Sequence, residues 1–244
     1  MSLYTDFEHP IRDEIVAAHT KTLESFAAPG TWWNAAQRRA IVEEARDARC
    51  QAGLQEPLDS GSDTTKANTE LPEPARRVAR QVAVSTNDMD RSFCDQALVD
   101  GLSDTEYIET VGVVALATAL DVFARGIGVA AREVPPPKSG EPSRKRPETA
   151  RDEGAWVQSV PGGRRGAEEA IDIYSSNDPM AAPFVYRALS LVPEDAKSLI
   201  RHGTAHYVLL EEFMNPIFTL DPCITRSQVE IVAAHVSAIN QCFY

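Results

Sequence analysis

Cysteine and basic residues are both scarce in this chain of 244 residues. The four cysteines are too few for a disulfide scaffold, and in a reducing compartment they would remain thiols. The 24 basic residues stand against 36 acidic ones, and the net charge of -12 would repel a phosphate backbone. We therefore expect neither a disulfide-rich fold nor a nucleic-acid partner.

Targeting and membrane-spanning patterns are also missing. The N-terminus has no basic region followed by an apolar one, so no secretory signal is predicted. The longest apolar stretch, residues 111–131, carries Asp121 and Arg125 in its interior and is a poor membrane span. We expect a soluble, cytoplasmic protein without a membrane partner.

Nucleotide and hydrolase motifs are absent as well. The sequence contains no Gly-x-Gly-x-x-Gly, no phosphate-binding loop and no Gly-x-Ser-x-Gly motif. No segment alternates apolar and polar residues convincingly, as a half-buried strand would. Nucleotide chemistry and serine hydrolysis therefore have no support, and no cofactor is predicted.

The patterns that are present are helical. Asn34, Ser103 and Thr225 each begin a capping box, in which the side chain accepts a hydrogen bond from a backbone N–H three residues later. Each box predicts the start of a helix, and the helix from Ser103 should run to about Gly126. Further helices are predicted from apolar spacing at residues 11–26, 74–84, 90–98, 167–174, 186–191 and 194–213. The sequence therefore predicts an all-α fold.

Residues 134–166 interrupt this pattern with clusters of proline and glycine, which cannot support a regular helix. We interpret the segment as an exposed linker and not as a basic docking motif, because its few basic residues are interrupted by acids. The chain is thus predicted to consist of an N-terminal helical unit (residues 1–133), the linker, and a C-terminal unit (residues 167–244).

Three stretches resemble a known family. Residues 225–244, which include Glu230 and Cys242, resemble the active-site helix of the carboxymuconolactone decarboxylase and alkylhydroperoxidase D-like superfamily. Residues 101–115 and 185–193 resemble its two-copy, peroxidase-related branch. The resemblance implies two related helical units joined by the linker. It also implies a homo-oligomer, for which the helix from Ser103 would suit a subunit contact.

Peroxidase members of this family carry a glutamate, eleven further residues, Cys-x-x-Cys and then, after three residues, a histidine. Glu230 matches the glutamate and Cys242 the first cysteine, whereas the second cysteine and the histidine would follow Tyr244. The second unit is therefore expected to be incomplete. The resemblance implies an antioxidant oxidoreductase in which Cys242 is a redox sulfur and Glu230 belongs to its proton relay. A peroxide would be the substrate and a dithiol the electron donor.

A degenerate second copy of this motif is expected in the first unit. When the box at Asn34 is aligned with the box at Thr225, Cys50 falls within one position of Cys242. The position twelve residues before Cys50 is Arg38, which is not a carboxylate. We expect this copy to act as a scaffold or subunit surface and not as a catalyst.

Geometry sets a condition for the predicted relay. On one straight helix Glu230 and Cys242 would lie roughly 18 Å apart, so the helix must break near residues 240–241 for the two to cooperate.

His202 and His206 have the spacing of a metal-binding pair, but no third ligand is evident, and no metal is predicted. Two other functions stay open: a decarboxylase that uses general acids and bases, and a catalytically silent oligomerisation or binding module.

Overall fold

The computed structural model of the protein describes residues 3–57, 71–176 and 178–242. Over these ranges the regular secondary structure is helical, apart from an isolated antiparallel bridge between Arg151 and Ser159. The predicted all-α class is confirmed. The α-helices are α1 (Asp13–Phe26), α2 (Ala35–Gln51), α3 (Glu73–Val84), α4 (Arg91–Val99), α5 (Asp104–Gly126), α6 (Ala167–Tyr174), α7 (Phe184–Arg187), α8 (Pro193–His206) and α9 (Arg226–Ile239).

Local sequence accounts for where three of these helices begin. Asn34, Ser103 and Thr225 cap α2, α5 and α9, and each box is complete in both directions. In each box the capping side chain accepts from a backbone N–H, and a glutamate or glutamine three residues later accepts from the backbone of the cap. The three predicted helix starts are confirmed.

Two predicted helices are shorter than expected. Only Phe184–Arg187 is helical near the segment predicted at residues 186–191, and α8 ends at His206 instead of continuing to residue 213. The backbone N–H groups of Tyr207 and Val208 both turn back to the carbonyl of Gly203, which closes the last turn. An aromatic residue followed by a β-branched one favours such a stop, because both side chains lose rotamer freedom in a helix.

The core is built around α5, which packs against α2, α3 and α8. Within the described ranges α5 is the one helix long and apolar enough to cross a membrane, and 67% of its apolar window is buried inside the protein. This burial accounts for its composition. Most of the helix is enclosed by its own chain, and the expectation that it forms a subunit contact stays a prediction.

The predicted linker, residues 134–166, forms no α-helix and contains one short 3-10 helix, Gly163–Arg165. Most of its residues are exposed. The segment is nevertheless held against the loop before α2. The backbone N–H of Lys138 donates to the carbonyl of Ala27 over 2.7 Å, and that of Arg144 donates to Thr31 over 2.8 Å. The apolar core includes residues of both predicted units, from Leu23 to Ala196. The proposed division into units stays a prediction.

A buried ion-pair cluster joins α2, α5 and α8. The guanidinium of Arg38 donates through Nη1 to Glu109 and through Nη2 to Oδ1 of Asp195, the latter over 3.0 Å. The second oxygen of Glu109 accepts from the backbone N–H groups of Trp32 and Trp33. Arg38, which the sequence predicts to stand at the position of the motif's glutamate, is therefore a buried cation that links α2 to α5 and α8.

Candidate functional site

Cys242 lies just past the end of α9, in a turn that closes the helix. Gln241 adopts a left-handed conformation (φ 51°), and the backbone N–H of Cys242 donates to the carbonyl of Ser237 over 2.9 Å. Gln241 donates to Ala238 in the same turn, which completes a Schellman motif. α9 thus ends at Ile239, close to the break expected near residues 240–241, and the side chain of Cys242 is exposed. Residues 243–244 of the matched stretch lie outside the described residues.

Glu230 lies in the second turn of α9, where two side chains hold it. The hydroxyl of Tyr207 donates to Oε2 over 2.7 Å, and Nε of Arg226 donates to Oε1 over 2.5 Å. The Tyr207 hydroxyl and then the Arg226 guanidinium lower the pKa of the Glu230 carboxyl below its usual value. Glu230 is thus a carboxylate at neutral pH. It is held at the point where α9 meets the segment after α8.

The structure does not bring Glu230 and Cys242 together. Seven residues of helix separate Glu230 from Ser237, whose carbonyl accepts from Cys242, and this corresponds to roughly 10 Å along the axis. The two hydrogen bonds that we describe for Glu230 go to Tyr207 and Arg226, at the other end of the helix. The relay role of Glu230 stays a prediction, and its contacts here anchor α9.

That anchor can be tested with Tyr207→Phe. Of the residues of α9, Arg226 alone is buried, so the helix depends on few contacts. Removal of the hydroxyl deletes a hydrogen bond to a charged group, and we expect the opening free energy of α9 to fall by about 1 kcal/mol. Hydrogen exchange of the amides from Val232 to Val236 should quicken several-fold. Unchanged exchange would mean that other contacts hold the helix.

Three of the four cysteines have a raised pKa. Burial raises the pKa of Cys94 and also that of Cys50. Cys223 is exposed, but its hydrogen bond to the Asp221 carboxylate, together with the negative charge of that group, raises its pKa. Because the thiolate is the reactive form, each of these three cysteines is disfavoured as a site of attack on peroxide.

The apolar residues of α9 face solvent. Ile231 is 69% exposed and Ile239 is 66% exposed, and Val232 and Val236 are also open. His235, on the same helix, is also exposed. α9, which precedes the candidate thiol of Cys242, is therefore attached to the rest of the protein mainly through its first two turns.

A second constellation lies away from α9, where α1 packs against α8. His19 of α1 meets His202 and His206 of α8, and one ligand atom from each ring lies within 4.8 Å of the others. The Nε2 atoms of His19 and His206 are 2.8 Å apart. His19 is fully buried, His202 is 6% exposed, and His206 opens to solvent.

The surroundings keep these rings neutral. Burial, together with the two neighbouring imidazoles, lowers the pKa of His19 to about 3. Burial also lowers the pKa of His202 to about 4, and His206 and Arg201 add to the effect. The pKa of His206 is lowered by partial burial of its ring and by Arg12. At neutral pH all three rings therefore offer a lone pair.

Sequence reasoning found two members of this cluster and missed the third. The spacing of His202 and His206 was visible on one helix, whereas His19 is 187 residues away from His206 in the chain. The available signal was weak: His19 lies beside Ala18 on the apolar face of α1, a position that a polar residue rarely takes without a partner.

Comparisons with known proteins add no family to this picture. No protein-family model matches the chain, and no match is found among curated proteins or among solved structures.

Proposed function

We propose that the protein is a thiol-dependent, peroxidase-type oxidoreductase with Cys242 as its redox sulfur. The observation that carries the proposal is the position of Cys242, whose side chain is exposed in the turn at the end of α9. Burial raises the pKa of Cys50 and of Cys94, and the Asp221 carboxylate raises that of Cys223. The resemblance of residues 225–244 to a peroxidase active-site helix supports the same cysteine.

The chemistry starts from the thiolate of Cys242. Its sulfur attacks the terminal oxygen of a hydroperoxide, the O–O bond breaks, and the leaving alkoxide takes a proton to become an alcohol. The product is a sulfenic acid. One thiol of a dithiol donor then attacks the sulfenic sulfur, and water leaves as a mixed disulfide forms. The second thiol of the donor attacks this mixed disulfide, which releases Cys242 as a thiol and the donor as a disulfide. The peroxide is reduced and the donor is oxidised.

The partners and surroundings follow from this cycle. A small peroxide is the substrate and a dithiol is the electron donor, and a reducing compartment such as the cytoplasm supplies the latter. By resemblance, Glu230 belongs to the proton relay. Tyr207 and Arg226 support this role because they keep the Glu230 carboxyl ionised. Assembly into a homo-oligomer is part of the proposal.

We expect Cys242 to be oxidised first when the protein meets peroxide. The protein would be treated with a small excess of hydrogen peroxide in the presence of a sulfenate trap, and adducts would be located by mass spectrometry. The label should appear on Cys242 well before Cys223, because the Asp221 carboxylate disfavours the thiolate of Cys223. Cys242→Ser should abolish the fast phase.

Cys223→Ser is the matched control, since it removes the other exposed thiol and leaves α9 intact. This variant should keep the fast oxidation. Equal labelling of the two thiols, or a Cys242 that stays unlabelled at millimolar peroxide, would contradict the proposal and favour a catalytically silent module. Glu230→Gln should slow the labelling of Cys242 if the relay operates, and should leave it unchanged if Glu230 only anchors α9.

A further inference from the structure

The histidine cluster between α1 and α8 has features that packing alone does not require. Three imidazoles meet where α1 packs against α8, and two of them are buried, although an aliphatic side chain would fill a buried position without a polar atom to satisfy. Two of the rings, those of His202 and His206, are held one turn apart on the same face of α8. The third comes from a different helix and closes the triangle.

We infer that His19, His202 and His206 form a binding site for a divalent transition metal of the zinc class. Three nitrogen donors suit such borderline ions, whereas magnesium and calcium prefer oxygen ligands. Three histidines with an open fourth position are also a known arrangement for zinc in proteins. The site is independent of Cys242, because the two regions share no residue.

The distances require small adjustments. Zinc–nitrogen bonds of about 2.0–2.1 Å in a tetrahedral site place the nitrogens roughly 3.3 Å apart. The Nε2 atoms of His19 and His206, at 2.8 Å, would therefore separate slightly, and the longest separation in the cluster, at most 4.8 Å, would shorten. The rings stack with interplanar angles of 5° to 23°, so they must also turn about their outer torsion, which is a soft one.

A second layer of contacts orients the deepest ring. The hydroxyl of Tyr4 lies 2.6 Å from Nδ1 of His19, and Tyr4 is itself buried. When Nδ1 carries the proton, it donates a hydrogen bond to the tyrosine oxygen. Nε2 then keeps its lone pair and faces the other two histidines. Metal-ligating histidines commonly have such a partner on the far nitrogen, which fixes both tautomer and ring orientation.

The site also has a route from solvent and room for a fourth ligand. His206 is exposed, so an ion can reach the cluster from that side. The hydroxyl of Thr22 lies 2.9 Å from Nε2 of His202, and a bound metal would replace this hydrogen bond and leave the hydroxyl beside the ion. Phe123 contacts the rings of His19 and His206 edge-on and covers one side of the cluster.

The test uses the full chain, freed of metal with a chelator and then titrated with Zn²⁺ by calorimetry. We expect one zinc per chain. His206→Asn changes the most accessible ligand and should abolish this binding with little effect on the fold, which circular dichroism would verify. Tyr4→Phe leaves all three ligands in place and removes only the orienting hydroxyl, so zinc affinity should fall by about 10- to 100-fold.

Controls separate this site from other donors. His235→Asn changes an exposed histidine on α9, outside the cluster, and should leave zinc binding unchanged. Co²⁺ bound at the cluster should show the absorption of a nitrogen-ligated tetrahedral ion without a thiolate-to-metal band. The inference is overturned if no zinc binds, if the His206 and His235 variants bind zinc equally, or if the cobalt spectrum shows thiolate ligation that Cys223→Ser removes.

Discussion

Replacing Arg38 by methionine is expected to lower the free energy of unfolding by about 3 to 5 kcal/mol. Methionine has a similar length but no charge, so it leaves Glu109 and Asp195 buried with no cation between them. Both carboxylates have 3% of their side-chain surface or less in contact with solvent, and water cannot take over the role of Arg38. Urea titration followed by circular dichroism would measure the loss.

The comparison variant is Arg91→Met on α4. Arg91 also faces a carboxylate, that of Asp95 at 3.8 Å, but both side chains are more than half exposed. A surface pair of this kind contributes about 1 kcal/mol or less. Similar losses in the two variants would show that Arg38 is not the charge on which the cluster depends.

Two further measurements show whether buried unpaired charge or a packing defect causes the loss of stability in Arg38→Met. Burial raises the pKa of the Glu109 carboxyl, and Arg38 is the main charge that opposes this shift. Without Arg38, Glu109 should fold in its protonated form, at a free-energy cost that shrinks as the pH falls. The triple variant Arg38→Met, Glu109→Gln, Asp195→Asn removes the buried charges together and should recover part of the stability. A loss that is independent of pH and persists in the triple variant would indicate a packing defect.

Lowering the pH from 7 to 5 is expected to destabilise the metal-free protein by about 2 kcal/mol for each of His19 and His202. Both histidines have a pKa in the folded protein, about 3 and about 4, that lies below the ordinary value of about 6.5. Above pH 6.5 the rings are neutral in both states, so their full contribution is present. Below pH 6.5 the two histidines are protonated in the unfolded chain but stay neutral in the folded protein. The free energy of unfolding therefore falls as the pH approaches their pKa values in the folded protein.

The charges around the cluster act in the same direction. Arg12 and Arg201 disfavour protonation of His206 and His202, and the guanidinium of Arg132 lies 4.7 Å from the centre of the Tyr4 ring that contacts His19. Burial raises the pKa of Tyr4 to about 12, so it stays neutral throughout. No compensating carboxylate is among the groups that shift the pKa of His19 or His202 in the described part of the chain.

Chemical denaturation at a series of pH values, in the presence of a chelator, would check this expectation. Carboxylates elsewhere also affect the curve, so the informative quantity is the difference between the wild type and His19→Gln. The variant should be less stable at pH 7 but should lose less between pH 7 and pH 5. Parallel curves for the two proteins would mean that His19 is protonated in the folded state as readily as in the unfolded one.

The resemblance and the structure contribute differently to the thiol site. The family likeness selected Cys242 and Glu230, and helix geometry added the condition that α9 end near residue 240. In the structure α9 ends there, through the left-handed Gln241, and the pKa of each of the other three cysteines is raised. It does not place Glu230 beside the thiol, because that carboxylate is engaged with Tyr207 at the opposite end of the helix.

Local sequence determined the helices of this protein, because the signals for them are local. The capping boxes at Asn34, Ser103 and Thr225 act within four residues, and an amphipathic pattern repeats every turn, so both can be recognised without knowledge of the fold. The end of α8 was harder to predict, since the stop at Tyr207 depends on weak propensities that the apolar pattern continues past.

Only the tertiary structure decided which distant side chains meet. Nothing near Arg38 in the sequence indicates Glu109 or Asp195, and nothing near His202 indicates His19. These contacts arise when α1, α2, α5 and α8 pack, and packing depends on the shapes and faces of whole helices instead of on the neighbours of any one residue. Burial of a charge or an imidazole is costly unless an ion-pair or hydrogen-bond partner lies next to it, and the tertiary structure supplies that partner.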